Sequence, residues 1–267
     1  MNILLDAAAK PVIGHRGNRA YAPENTMESF RQAVALGADA IEFDVRLSAD
    51  GIPVVHHDPT VTRTTDGTGE IARMNYVALK DLDAGASFTR DSGKTYPYRG
   101  AGHHIPKFED VIEAFPSTPF LIEIKDSLAA TGIREIIERH KAEWRCLIDS
   151  MDGLAVRHFE NSSIAVGAAR GEVASLMKQV LLRRRVPPMK YKALCVPLSY
   201  NGLPLPVRRF AKVAAEHDCR VHVWTVNDPA TAVSLWNDGI NGIISDDPAL
   251  MLSVRARLGD VSARLAP

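Results

Sequence analysis

Apolar segments alternate with helical segments along most of this 267-residue chain, and short charged runs stand where the predicted strands end. Such alternation is typical of α/β proteins with a parallel sheet. We count eight core strands, each followed by a helix, which predicts a (β/α)8 TIM barrel because about 250 residues is its usual size. A doubly wound open sheet is the alternative, but no Gly-x-Gly-x-x-Gly sequence opens the first helix.

The stretch from His57 to Lys107 interrupts this alternation. A segment of this length without regular periodicity usually has a function or forms a small cap of its own. We therefore expect a single domain over residues 1–267, with residues 57–107 as a small insertion after strand 2.

Composition excludes several classes of protein. The 32 basic and 32 acidic residues give a formal net charge of zero, so no overall field attracts a nucleic acid. Three widely spaced cysteines without metal-binding spacing indicate a reducing compartment. No apolar stretch approaches the roughly 20 residues of a membrane span, and no signal peptide pattern opens the chain. We expect a cytoplasmic protein without stable membrane insertion; the sequence does not indicate its oligomeric state.

Three acidic residues lie inside apolar strand segments. Side chains alternate across a strand, so Glu42 and Asp44 share one face of strand 2. The same alternation places Glu123 and Lys125 on one face of the next core strand. If these strands are neighbours, three carboxylates converge inside a barrel whose interior normally holds branched aliphatic residues.

Converging carboxylates repel one another and require a compensating cation. A site made only of oxygen ligands favours Mg²⁺ or Ca²⁺, with Mn²⁺ as a further option. The alternative is a set of salt bridges to Lys125, Arg16 and Arg46, although buried ion pairs seldom gather in such numbers.

Two histidines are candidates for proton transfer. His15 ends strand 1 and His57 follows the hairpin after strand 2, both at the rim where barrel active sites form. Imidazole titrates in the range that acid–base catalysis uses. Arg16 can bind phosphate oxygens through two N–H groups, and Lys125 can neutralise charge in the transition state. These residue types predict metal-assisted attack on a phosphate ester.

Other residues near the strand ends are candidates for supporting roles. Trp224 can form a wall of the pocket and contact an alkyl or choline-like group. Glu24 and Asn25 follow strand 1 and can support the metal ligands from behind. Asn25 is also predicted to cap the first helix, with Glu28 three residues later as in a capping box.

The ordered motifs together resemble the glycerophosphodiester phosphodiesterase family over nearly the whole chain. The resemblance implies a barrel with an insertion after strand 2, metal binding by Glu42, Asp44 and Glu123, and acid–base catalysis by His15 and His57. The motifs that carry it are His15-Arg16-Gly17, Pro23-Glu24-Asn25-Thr26, Glu42-Phe43-Asp44, Asp50-Gly51, His57-Asp58, Glu123-Ile124-Lys125, Val223-Trp224-Thr225-Val226-Asn227 and Ser245-Asp246-Asp247-Pro248.

We therefore predict metal-dependent hydrolysis of small-molecule glycerophosphodiesters, as in lipid and glycerol metabolism, to an alcohol and glycerol 3-phosphate. One alternative is lysophospholipase D-type cleavage of lysophospholipids on the same barrel, and another is a non-catalytic ligand-binding barrel. Direct attack by water and attack by a neighbouring substrate hydroxyl through a cyclic phosphate both fit the residues. Either histidine fits the role of acid or base.

Overall fold

A computed structural model describes residues 2–264 of the chain, with side chains described for residues 2–258. The strands are β1 (Val12–His15), β2 (Ala40–Leu47), β3 (Pro53–Val55), β4 (Phe120–Ile124), β5 (Cys146–Asp149), β6 (Ala165–Val166), β7 (Ala193–Pro197), β8 (Ser199–Tyr200), β9 (Leu203–Pro204), β10 (Arg220–Trp224) and β11 (Gly242–Ser245). The helices are α1 (Met27–Ala35), α2 (Tyr76–Lys80), α3 (Phe108–Ala114), α4 (Ala130–Arg139), α5 (Gly153–Arg157), α6 (Arg170–Leu181), α7 (Val207–Glu216), α8 (Pro229–Asn237) and α9 (Pro248–Arg264).

Eight parallel strands curl into a nearly closed barrel in the described part of the chain. The strand order is β6-β5-β4-β2-β1-β11-β10-β7. The two ends of this order meet through a parallel bridge between Gly167 and Ala193, and the amide of Ala168 donates to the carbonyl of Ala193 at 2.9 Å. The predicted barrel is therefore confirmed. The open-sheet alternative is wrong, because the two terminal strands pair with each other.

The main apolar core lies between the barrel strands and the surrounding helices. On β2, Ile41, Phe43 and Val45 are fully buried in this core, and Leu47 packs against it partly buried. The ring of Phe43 packs against Phe30 of α1, Phe108 of α3 and Phe120 of β4, with centroid distances of 5.5, 6.1 and 5.3 Å. These contacts fix which face of β2 points outward, so the residues between them must point into the barrel.

The barrel interior is apolar at the N-terminal ends of the strands. A short 3-10 turn, Ile3–Leu5, closes this end, and the carbonyl of Leu4 accepts a 2.9 Å hydrogen bond from Nε2 of the buried His222. The turn therefore seals the floor of the barrel. The inward apolar cluster contains Leu4, Ile13, Ala40, Leu121, Leu147, Ala193, Cys195 and Ile244.

The insertion predicted after strand 2 is present. β3 first runs back antiparallel to β2, with Val55 opposite Val45. Residues 57–107 then continue with a 3-10 turn and the short helix α2. This segment has an apolar cluster of its own, which also includes Val54 of β3. Its members are Val54, Val61, Ile71, Tyr76, Leu79, Ala84 and Ile105.

The start of α1 differs from the sequence prediction. Thr26 is the N-cap residue, and its hydroxyl accepts a hydrogen bond from the amide of Ser29 at 3.2 Å. Asn25 has a φ of 58° and donates its side-chain amide to Asp44 at 2.9 Å. The prediction that Asn25 caps the helix is therefore wrong, because this side chain is held by a carboxylate inside the barrel.

Truncation of Phe43 to alanine tests the role of the aromatic cluster. We expect the free energy of unfolding to fall by about 3–5 kcal/mol, because a cavity would remain among three rings. Urea unfolding followed by circular dichroism measures this change. Leu36→Ala, at an exposed position after α1, is the control, with an expected change below about 0.5 kcal/mol. An equally small effect for Phe43→Ala would contradict the packing argument.

Candidate active site

Side chains alternate along each barrel strand, so the inward positions that are apolar at one end of the barrel continue as polar residues at the other end. Ile13 points inward on β1, and His15 follows two residues later; Leu121 precedes Glu123 on β4 in the same way. The result is a cavity of about 160 Å³ at the C-terminal ends of the strands. Its lining includes His15, Arg16, Glu42, His57, Glu123, Lys125, Asp149 and Trp224.

Three carboxylates converge at this end of the barrel. Asp44 lies opposite Glu123 in the register of β2 and β4, and one oxygen from each of Glu42, Asp44 and Glu123 lies within 4.8 Å of the others. Burial, followed by the negative charge of Asp44, raises the pKa of Glu42 well above its usual value. A cation shared by the three groups would relieve this repulsion.

Two cations already compensate part of this charge. Nζ of Lys125 lies 2.6 Å from Glu123 and 3.1 Å from Asp44, and Nε of Arg16 lies 3.1 Å from Asp44. Burial alone would raise the pKa of Asp44, but the charges of Lys125 and Arg16 outweigh it and lower that pKa. The salt-bridge alternative is thus realised in part, with two positive charges facing three carboxylates.

The donor set fits a hard divalent cation. All three groups offer carboxylate oxygens, the ligands that Mg²⁺ and Ca²⁺ prefer. Oδ1 of Asp44 is buried without a hydrogen bond, although Lys125 is near. Glu42 accepts one hydrogen bond from the described residues, a 2.9 Å contact from the amide of Arg16. Lone pairs on both carboxylates therefore stay available for a metal ion.

Nδ1 of each of the two histidines lies within hydrogen-bond distance of a carboxylate. The distance is 2.6 Å both from His15 to Asp246 and from His57 to Asp58. The carboxylates favour the tautomer protonated on Nδ1, which leaves Nε2 free to exchange a proton. Burial lowers the pKa of His57 below its usual value of 6.5 despite the nearby carboxylates. For Asp246 the contacts with His15 outweigh burial and lower the pKa to about 2.

Glu24 forms a network with three arginines beside the cavity. It accepts hydrogen bonds from Arg16 at 2.7 Å, Arg19 at 3.0 Å and Arg63 at 2.7 Å. Burial would raise the pKa of Glu24, but the hydrogen bond from Arg63 and the charges of all three arginines lower it far below its usual value. The network orients Arg16 and ties the inserted segment, through Arg63, to the turn after β1.

The model of the glycerophosphoryl diester phosphodiesterase family matches residues 15–250. The chain belongs to this family. A glycerophosphodiester phosphodiesterase of Caldanaerobacter subterraneus is 32% identical over 251 residues, which cover 91% of this chain and 96% of the relative.

Solved structures of similar proteins share the fold. A phosphodiesterase of Oleispira antarctica, solved in complex with the product sn-glycerol-3-phosphate, has a TM-score of 0.75 at 27% identity. The match covers 92% of this chain and 96% of that one. The glycerophosphodiester phosphodiesterase of Thermotoga maritima has a TM-score of 0.70 at 26% identity, over 91% and 97% of the two chains.

Most of the sequence-predicted site residues of this family member line the same cavity. Asp44 lies behind it and is only 1% exposed. Of the two predicted supporting residues, Asn25 contacts the carboxylate of Asp44, whereas Glu24 contacts arginines. Arg46 does not pair with the three carboxylates as the salt-bridge alternative expected. Its Nε donates instead to the carbonyl of His57 at 2.8 Å.

Sequence reasoning missed the carboxylate partners of the histidines. Asp58 directly follows His57, and Asp246 follows β11, which a closed barrel places beside β1 and His15. Both residues lie inside motifs named above. The position of Asp58 next to His57 in sequence, and the pairing of β11 with β1 in a closed barrel, would have indicated them. Asp149 was missed as well, although it lies opposite Glu123 in the register of β4 and β5.

Replacement of Glu24 by glutamine tests the arginine network. We expect the free energy of unfolding at pH 7 to fall by about 3 kcal/mol, because the buried Arg16 would lose its hydrogen-bonded charge partner. The folded-state pKa of Glu24 is lowered, so its stabilisation is present above the usual glutamate pKa of 4.5 and is lost progressively at lower pH. Urea unfolding should therefore show that the wild type and Glu24→Gln differ less in their free energy of unfolding at pH 3 than at pH 7.

Glu28→Gln in the first turn of α1 provides the matched control, since its contact with Arg31 is a partly exposed 3.8 Å pair. This control should change stability little at either pH. If the wild type is more stable than Glu24→Gln by the same free energy at both pH values, the charge of Glu24 does not cause the difference.

Proposed function

We propose that this site hydrolyses glycerophosphodiesters to an alcohol and glycerol 3-phosphate with the help of a divalent metal ion. As a member of the family, the chain is a phosphoric diester hydrolase. The convergence of three carboxylates with two histidine–carboxylate pairs around one cavity carries the proposal. The Oleispira antarctica structure with sn-glycerol-3-phosphate supports the substrate class.

Glu42, Asp44 and Glu123 would hold the ion, with Mg²⁺ or Ca²⁺ as the first candidates and Mn²⁺ as a further one. When bound, such an ion polarises a phosphate oxygen and favours deprotonation of a coordinated hydroxyl. The amide of Arg16 orients Glu42, and the side chain of Asn25 orients Asp44, each at 2.9 Å. These contacts hold the carboxylates in place from behind.

His15 and His57 would move the protons. One accepts the proton of the attacking hydroxyl, and the other donates a proton to the departing alcohol. Asp246 and Asp58 keep Nδ1 protonated on each ring, so that Nε2 performs the exchange. Because the pKa of His57 lies below 6.5, this ring is neutral at pH 7 and able to accept a proton.

Arg16 and Lys125 would bind the phosphoryl group. Nη1 of Arg16 is held by Glu24, and no described residue accepts a hydrogen bond from Nη2, which is left for a phosphate oxygen. Burial lowers the pKa of Lys125, but Asp44 and Glu123 outweigh this and raise it, so the ammonium group is charged. Trp224 forms part of the cavity wall and would contact a substituent of the phosphate.

The remaining expectations concern the whole chain. We propose one barrel domain in which residues 57–107 cover one side of the site through the contact of Arg63 with Glu24. Among the described residues, no helix is both long and apolar enough to cross a bilayer. The cytoplasmic location and the absence of a nucleic-acid partner stay predictions.

A substrate panel with and without a chelator tests this function. Release of glycerol 3-phosphate from glycerophosphocholine and glycerophosphoethanolamine should stop after treatment with EDTA and return with Mg²⁺, Ca²⁺ or Mn²⁺. Activity that survives complete metal removal would contradict the metal-dependent mechanism. A protein that binds these compounds without cleaving them under any metal condition would be a non-catalytic ligand-binding barrel.

Metal affinity can be measured apart from activity. Glu123→Gln should weaken metal binding in isothermal titration calorimetry by at least about tenfold, because it removes one charged ligand. A second acidic cluster among the described residues, Glu109, Glu113 and His140, lies on the surface and supplies the control. Glu113→Gln should leave the affinity unchanged.

Substitution of either histidine tests proton transfer. We expect His15→Asn and His57→Asn each to lower kcat by about 10²–10⁴-fold while metal affinity changes little. His104→Asn, in the inserted segment and outside the cavity lining, is the control and should retain wild-type kcat. Wild-type activity in either catalytic variant would remove that histidine from the mechanism.

A further inference from the structure

A second cavity of about 280 Å³ opens beside the catalytic one. The two share Asp149, Met151, Cys195 and Trp224 in their walls. We propose that this second cavity binds a single alkyl or acyl chain carried by the phosphodiester, a preference that rests on the function proposed above. The apolar part of its lining includes Ala168, Val173, Ala174, Met177, Val196 and Leu205.

The cavity lies across the barrel from the carboxylates. In the ring of eight strands, β7 is the fourth strand from β2 in both directions. The second cavity is built on β7, on helix α6 and on Trp224 at the end of β10, whereas Glu42 and Asp44 lie on β2. A phosphate between these two sides has one substituent near the carboxylates and directs the other into the apolar cavity.

The composition of the walls selects an apolar occupant. Asp149 stands at the wall shared with the catalytic cavity, and Arg170 is an exposed residue at the start of α6. Between them, side chains such as Val173 and Met177 present methyl and methylene groups, which offer no hydrogen bonds to a hydroxyl or an amine. A cavity of this size has room for a chain of several carbons.

Exposed apolar residues lie next to this cavity. The hairpin formed by β8 and β9, which the sequence analysis did not predict, includes Tyr200 and Leu203, 40% and 71% exposed. Tyr200 lines the cavity, and so does Met151, which is 46% exposed. Exposed apolar groups gathered beside an apolar cavity are typical of a ligand-binding surface. Here they would contact the chain as it enters.

A series of glycerophosphate diesters with ethyl, butyl, hexyl and octyl alcohols tests the inference below their micelle concentrations. Hydrolysis adds water across the P–O bond and releases glycerol 3-phosphate with the alcohol. We expect kcat/KM to rise along the series by about three- to fourfold per buried methylene group.

Ala174→Trp fills the cavity from α6 and should abolish the rise, so that the octyl and ethyl diesters are cleaved with nearly equal kcat/KM. The adjacent Ser175→Trp, at an exposed position outside the lining, is the matched control and should keep the rise.

A second arm identifies which side of the phosphate carries the chain. It compares glycerophosphoethanolamine with its 1-octanoyl derivative, from which hydrolysis releases ethanolamine and the acylated glycerol phosphate. A gain in this arm that Ala174→Trp removes assigns the cavity to a chain on glycerol. A gain in the alcohol series assigns it to the leaving group, and either result supports the inference.

If kcat/KM is the same for all members of the alcohol series, and the same for glycerophosphoethanolamine and its 1-octanoyl derivative, the cavity does not bind a chain. The proposed function would still stand, because glycerophosphoethanolamine is cleaved. A gain that persists in Ala174→Trp would also overturn the inference. If no diester is cleaved with any of the three metals, the proposed function fails, and the inference fails with it.

Discussion

The outward packing of β2 is the constraint on which the site depends. Phe43 is fixed among the rings of Phe30, Phe108 and Phe120, and its neighbours in sequence, Glu42 and Asp44, consequently point into the barrel. A shift of the strand by one residue would place both acids in the aromatic core, where no cation could reach them. The apolar core thus specifies the position of the carboxylates, although it contacts no substrate.

Charges inside a barrel destabilise the fold unless they are compensated. Here positively charged and hydrogen-bonding side chains surround the carboxylates, and these side chains have charged partners of their own. Asp44 is bordered by Lys125, Arg16 and Asn25, and Arg16 is in turn held by Glu24, which also binds Arg63 of the inserted segment. The compensation of Glu42 is incomplete, since its pKa is raised by burial and by Asp44. A metal ion bound there, as proposed above, would supply the missing positive charge.

The sequence allowed the barrel and the inward carboxylates to be predicted because both follow from a period of two along a strand. Alternation alone places Glu42, Asp44 and Glu123 on inward faces. It does not identify partners that come from distant parts of the chain, such as Asp246 for His15, which requires that β11 close the ring beside β1.

Local propensity misled the prediction at Asn25, a residue type that favours helix caps. Its side chain is held instead by Asp44, a tertiary contact that one sequence does not reveal. The hairpin of β8 and β9 was missed for a simpler reason. Each strand has two residues and both are exposed, so neither produces an apolar pattern.

The sealed floor of the barrel has a consequence for turnover. Leu4 and His222 close the bottom, so a diester would enter, and its products would leave, at the rim. A phosphate monoester held by Arg16 and Lys125, as proposed above, would occupy the place that the next diester needs. Release of the anionic product would therefore have to precede each new binding event.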